Sequence, residues 1–143
     1  MGEKKKFIRD SVYGDINLND FEVRIMDMPQ FQRLRRIKQL GLISLIYPGA
    51  THTRFEHSVG TMNLGSKLAE ELGLTGDEIE LIRASALLHD IGRSKTHGMT
   101  HAIEGVEIAR KYGYGPDVLN IIERHIGAGI TKEEAKSLGL PEK

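Results

Sequence analysis

The amino-acid sequence predicts an all-α fold, a helical bundle of about six or seven helices preceded by a short extended arm or hairpin. Three observations carry that expectation. Apolar residues recur at helical spacing through most of the chain. Ser/Thr/Asn-x-x-Glu pairs open several of those runs, and glycine or proline closes them. The 143 residues fit one domain with one core, spanning 1–143 with residues 1–19 as the arm.

In the arm (6–19), Gly14 separates short apolar runs (Phe7, Ile8; Val12, Tyr13; Ile16, Leu18), which reads as an extended arm or a small hairpin. Asn19 with Glu22 forms a capping box for a first helix, and Pro29 ends that helix or begins the next. Residues 30–40 read as a basic amphipathic helix stopped by Gly41, and 47–53 as a loop. Phe55, Val59, Met62, Ala69 and Leu72 mark a long helix ending at Gly73. Thr75 and Glu78 cap the next, which carries Ile79, Ile82, Ala86 and Leu87. Thr100 is the expected cap of a helix that runs to Gly113. Pro116 starts another, with Val118, Ile121, Ile122 and His125 on one stripe, and Thr131 with Glu134 caps a short last helix.

Composition excludes several classes of function. With no cysteine, disulfides and thiolate chemistry are absent, as suits a reducing cytoplasm, and a metal has only His, Asp and Glu to bind it. Twenty basic residues balance twenty acidic ones, so nothing favours general nucleic-acid binding. The short basic run at Met1 is not a signal peptide, and no stretch approaches the roughly 18–20 apolar residues of a membrane span.

The chemistry concentrates in histidines. His89-Asp90 closes the apolar run Ala86-Leu87-Leu88. Burying an imidazole and a carboxylate there without partners would cost several kcal/mol. A C-terminal helix cap explains most such dipeptides. A metal at a helix crossing also satisfies both groups, and His57, near the start of the long helix, is the candidate third ligand. Mixed nitrogen and oxygen ligation favours Mn, Fe, Ni, Co or Zn over Mg or Ca.

The pattern His57 … His89-Asp90-Ile91-Gly92 resembles the HD superfamily of metal-dependent phosphohydrolases. The run Phe31-Gln32-Arg33-Leu34-Arg35-Arg36-Ile37-Lys38-Gln39-Leu40-Gly41 and the run from Tyr47 through Arg54-Phe55-Glu56-His57 to Ser58 resemble its dNTP triphosphohydrolase branch. The run from Leu88-His89-Asp90 through Arg93 and His97 to Gly98, with Glu123-Arg124-His125-Ile126, resembles small archaeal members instead. The resemblance implies a divalent transition metal, one or two ions, on His57, His89 and Asp90. It also implies a later Asp whose place falls past Pro141-Glu142-Lys143, so that water, His125 or another chain's carboxylate is the expected substitute. His101 and His125 resemble the extra histidines of two-metal subfamilies. For each, ligand and catalytic acid or base both stay open, and His125 on an apolar stripe also fits a hydrogen-bonded core residue. Gly105, one turn after His101, is expected to leave room beside it.

The resemblance sets Arg54 against substrate phosphates, where its fork offers paired donors. As a loop arginine before the long helix it has no evident core role. Gln39 matches a nucleoside contact and His52 faces substrate. His97 is expected at the surface or the edge of the substrate site. Arg33, Arg35, Arg36 and Lys38 read mainly as a solvated helix face. The function implied is hydrolysis of a nucleotide or related phosphate ester by a metal-activated water, with a small phosphorylated partner, no membrane, and a homo-oligomer left open. A metal- or nucleotide-binding module without turnover, and a cyclic-nucleotide phosphodiesterase, are the alternatives.

Overall fold

A computed structural model describes residues 6–126, 131–137 and 139. The basic run at residues 1–5 and the last residues, 140–143, lie outside the described residues, as do 127–130 and 138. Strands β1 (Lys6–Asp10) and β2 (Gly14–Leu18) pair antiparallel, with Ile8 opposite Ile16. The arm is therefore a hairpin, and its turn uses Gly14 at φ 74°. Seven α-helices follow among the described residues: α1 (Asp20–Met26), α2 (Pro29–Arg33), α3 (Arg54–Glu71), α4 (Gly76–Leu88), α5 (His101–Lys111), α6 (Pro116–Arg124) and α7 (Lys132–Ser137). None is long and apolar enough to cross a membrane.

The expected capping boxes of Asn19 with Glu22 and of Thr75 with Glu78 form reciprocally, and Thr53 with Glu56 makes a further one beyond those expected. At Thr131 both backbone N–H and hydroxyl donate to Glu134, whose N–H returns to the hydroxyl. Thr100 takes the N-cap position of α5, yet its side chain makes no capping bond. Gly73 closes α3 at φ 70°, where its N–H donates to Glu70 and that of Leu74 to Ala69, the paired bonds of a Schellman end. Pro29 begins α2.

The helix expected over 30–40 is a correction. Helix α2 stops at Arg33, a 3-10 turn covers Leu34–Arg36, and the chain then extends so that Lys38 bridges Thr53. Arg54 N–H donates to the Ile37 carbonyl and Gln39 N–H to that of His52. These long-range bonds replace the local helical ones. A second 3-10 turn, Gly41–Leu45, follows instead of a stop at Gly41.

Helix α3 packs most extensively on α4, and α5 on α6. Phe31, Leu34, Met62, Leu87, Leu88, Ile91 and Ile122 are fully buried between them. The α6 stripe is narrower than the spacing implies, since Val118 and Ile122 are buried while Ile121 is 40% exposed.

Candidate metal centre

Four histidines and Asp90 meet where helix ends converge. His57 lies in the first turns of α3, His89 caps the C-terminus of α4, His101 is the first residue of α5, and His125 caps the C-terminus of α6. Asp90 follows His89 and leads into a 3-10 turn, Ile91–Ser94. The turn is pressed against α5 at two glycines. A methyl at Gly92 would lie 1.8 Å from the His101 carbonyl oxygen. One at Gly105 would meet Ile122 at 2.9 Å, so the space beside Gly105 is filled by packing and is not the room expected for His101.

Two triads share Asp90. His57, His89 and Asp90 form one, and Asp90, His101 and His125 the other, with one ligand atom per residue all within 4.8 Å of each other. The Nε2 atoms of His57 and His89 are 3.2 Å apart, and those of His101 and His125 are 3.1 Å apart. Two nitrogens about 2.1 Å from one ion, at angles between square and tetrahedral, sit about 3.0–3.4 Å apart. Asp90 Oδ1 is 3.3 Å from His101 Nε2 and 3.7 Å from His125 Nε2, and Oδ2 is 3.8 Å from His89 Nε2.

The other ring nitrogens decide the tautomers. His89 Nδ1–H donates to the Ala86 carbonyl at 2.7 Å, His101 Nδ1–H to Gly98 at 2.9 Å, and His125 Nδ1–H to Ile122 at 2.7 Å. A carbonyl only accepts, so each neutral ring keeps its proton on Nδ1 and presents a lone pair at Nε2. At His101 and His125 two such lone pairs face each other. Only a proton or a cation between them removes the repulsion. Backbone-anchored imidazole of this kind is the usual support of a metal-ligating histidine.

Burial pushes the His89 imidazole down to about 4, against the opposing pull of Asp90, and lowers His57 as well. Burial pushes Asp90 up, but its close contacts with His101 and His125 and the positive charge of Arg54 outweigh it and hold the carboxyl well below the usual range. The neutral nitrogens of His57 and His89 beside an ionised carboxylate fit a divalent transition metal.

Arg54 has a supporting role the loop reading did not foresee. It is the first residue of α3, only 16% exposed, and Nη1 pairs with Asp90 Oδ2 at 2.5 Å while Nη2 donates to the Gln39 carbonyl at 3.3 Å. A cavity of about 800 Å³ has Arg54, Arg93, Arg33, Arg36, Lys38 and Gln39 in its wall, and no acidic side chain among the described residues lines it. Arg33, Arg35, Arg36 and Lys38 are all exposed, as expected of a solvated face; three of them also line this cavity, and Arg35 stacks 3.5 Å over the Phe55 ring. The Gln39 Oε1 is buried without a partner among the described residues. His97 reaches the same cavity. His52 is exposed and lines a second one, of about 520 Å³, together with His57 and Tyr13. Arg93 was not singled out by sequence reasoning, and its only signal is its place three residues after Asp90.

The HD domain family model matches residues 54–142, and the chain belongs to this family. It is 58% identical over 87 residues to an uncharacterised protein of Methanocaldococcus jannaschii, covering 61% of this chain and 19% of that protein. A second uncharacterised protein of that organism is 50% identical over 90 residues, covering 62% of this chain and 53% of the relative. The deoxynucleoside triphosphate triphosphohydrolase SAMHD1 of Homo sapiens is 36% identical over 148 residues, covering 94% of this chain and 23% of the enzyme. The chain spans about half the length or less of these curated relatives. Both branches expected from the two halves of the sequence are thus among its relatives.

Proposed function

We propose that the chain is a metal-dependent phosphohydrolase acting on nucleotides or related phosphate esters. The observation that carries this reading is the pair of Asp90-centred triads, whose imidazoles present Nε2 lone pairs beside a cationic cavity. His57, His89 and Asp90 would hold one ion. When bound, a divalent ion of the Mn, Fe, Ni, Co or Zn class acts as a Lewis acid towards a phosphoryl oxygen and makes water a competent nucleophile near neutral pH. Asp90 belongs to both triads, and Arg54 fixes its carboxylate through the 2.5 Å contact. Arg54 also reaches the cavity, where its remaining donors suit phosphoryl oxygens. Gln39 and His52 are proposed contacts for the rest of the substrate. For His101 and His125 the facing lone pairs favour ligation of a second ion over proton transfer.

The test combines elemental analysis with a phosphate-ester screen. The wild-type chain should carry one or two transition-metal ions and hydrolyse a nucleotide in a metal-stimulated way. His89→Ala should lose both metal and activity. Full metal occupancy in His89→Ala would overturn the site assignment, and a metal-loaded wild-type protein without turnover would overturn the hydrolytic one.

A further inference from the structure

We propose that Arg93 is a phosphate-binding residue of this site, forming with Arg54 a two-guanidinium clamp on the cavity side of Asp90. The inference rests on the phosphohydrolase reading for its substrate, but not for its geometry. Arg93 stands in the 3-10 turn after Asp90, with Nε 3.6 Å from Asp90 Oδ1, while Arg54 holds Oδ2. The two arginines therefore flank one carboxylate from its two oxygens, and both open onto the same cavity.

Three features separate Arg93 from an ordinary surface arginine. Its side chain is 17% exposed, so its charge is largely removed from water. Its Nη1 donates to the carbonyls of His97 at 2.6 Å and Gly98 at 3.4 Å, which tether one side of the fork. Its buried Nε faces Asp90 Oδ1 at 3.6 Å, beyond direct hydrogen-bond length. The fork is thus held in a fixed orientation at the cavity wall. The charges point the same way. Two guanidinium groups share one carboxylate, and Arg33, Arg36 and Lys38 add cations to the cavity wall. Half-buried like charges repel unless an anion joins them. A phosphoryl group supplies both the negative charge and the spaced oxygens that guanidinium forks match.

The experiment titrates the purified 143-residue chain, of measured metal content, with inorganic phosphate and with pyrophosphate by calorimetry. Arg93→Gln should weaken phosphate binding roughly ten- to hundredfold, the size of a lost charge-assisted contact, with metal content and fold unchanged. Arg93→Lys, which keeps the charge and loses the fork, should fall between the two and serves if the glutamine variant does not fold. In steady-state assays the lysine variant should raise KM more than it lowers kcat. Phosphate affinity unchanged in both variants overturns the clamp, as does a loss confined to thermal stability. A wild-type chain that hydrolyses no ester yet binds phosphate through Arg93 supports the clamp and overturns the phosphohydrolase reading alone.

Discussion

At the scale of single residues, the chemistry of the centre is set by which ring nitrogen keeps its proton. The Nδ1–H groups of His89 and His125 cap carbonyls left open at the C-termini of α4 and α6, so one side chain closes a helix and aims a lone pair. This arrangement gives a defined pH response. His89 is held neutral by burial, with its pKa lowered from 6.5 to about 4. Between these values the unfolded chain binds a proton that the folded chain refuses, so stability is fully present above about pH 6.5 and is lost as pH falls towards 4. The melting temperature of chelator-treated protein should drop across that window, and His89→Gln should flatten part of the drop. An equal slope in the variant would show that other groups carry the response. His57, His89 and Asp90 were legible in the sequence through the motif they share with the HD superfamily, since a helix cap alone explains most His-Asp pairs at the end of an apolar run. Arg93 was not, because an arginine in a short turn reads as solvated until the fold tethers it to His97 and Gly98.

At the scale of elements, capping chemistry was the most legible feature, since a cap is a contact between residues three apart. The 30–40 segment was the least legible. Its basic and apolar residues alternate with helical spacing, but its conformation is decided by bonds from Ile37 and Gln39 to the stretch just before and into α3. The seam between the 3-10 turn and α5 was equally hidden, because the need for glycine at 92 and 105 arises only when the two elements touch. A methyl at Gly92 would overlap the backbone carbonyl of His101. Gly92→Ala should therefore destabilise the chain by about 3 kcal/mol or more, and Gly105→Ala, which presses on the Ile122 side chain, by about 1–2 kcal/mol. Chemical denaturation measures both. A near-neutral Gly92→Ala would mean that the turn can move away from α5.

At the scale of the whole molecule, a buried ion pair away from the metal centre ties the hairpin and α1 to the bundle. Glu22 is 1% exposed and accepts two bonds from Arg83, which also reaches the Ser66 hydroxyl and the Asn17 carbonyl. No sequence pattern announced this pair, because its members are 61 positions apart. Removing one partner strands the other charge, so Arg83→Met should cost about 3–5 kcal/mol and leave metal content unchanged in whatever fraction folds. Loss of metal from folded Arg83→Met would instead couple the two ends of the bundle. The convergence of helix ends on Asp90 has a kinetic meaning of its own. Its candidate ligands come from four separate helices, so the centre requires the assembled chain. An ion held there would recognise the finished bundle and not the folding transition state. Added metal should accordingly slow unfolding while leaving the refolding rate nearly unchanged, a one-armed shift of the chevron visible by stopped-flow fluorescence of the tyrosines. A faster refolding arm would place ion capture early, before the helices have closed around it.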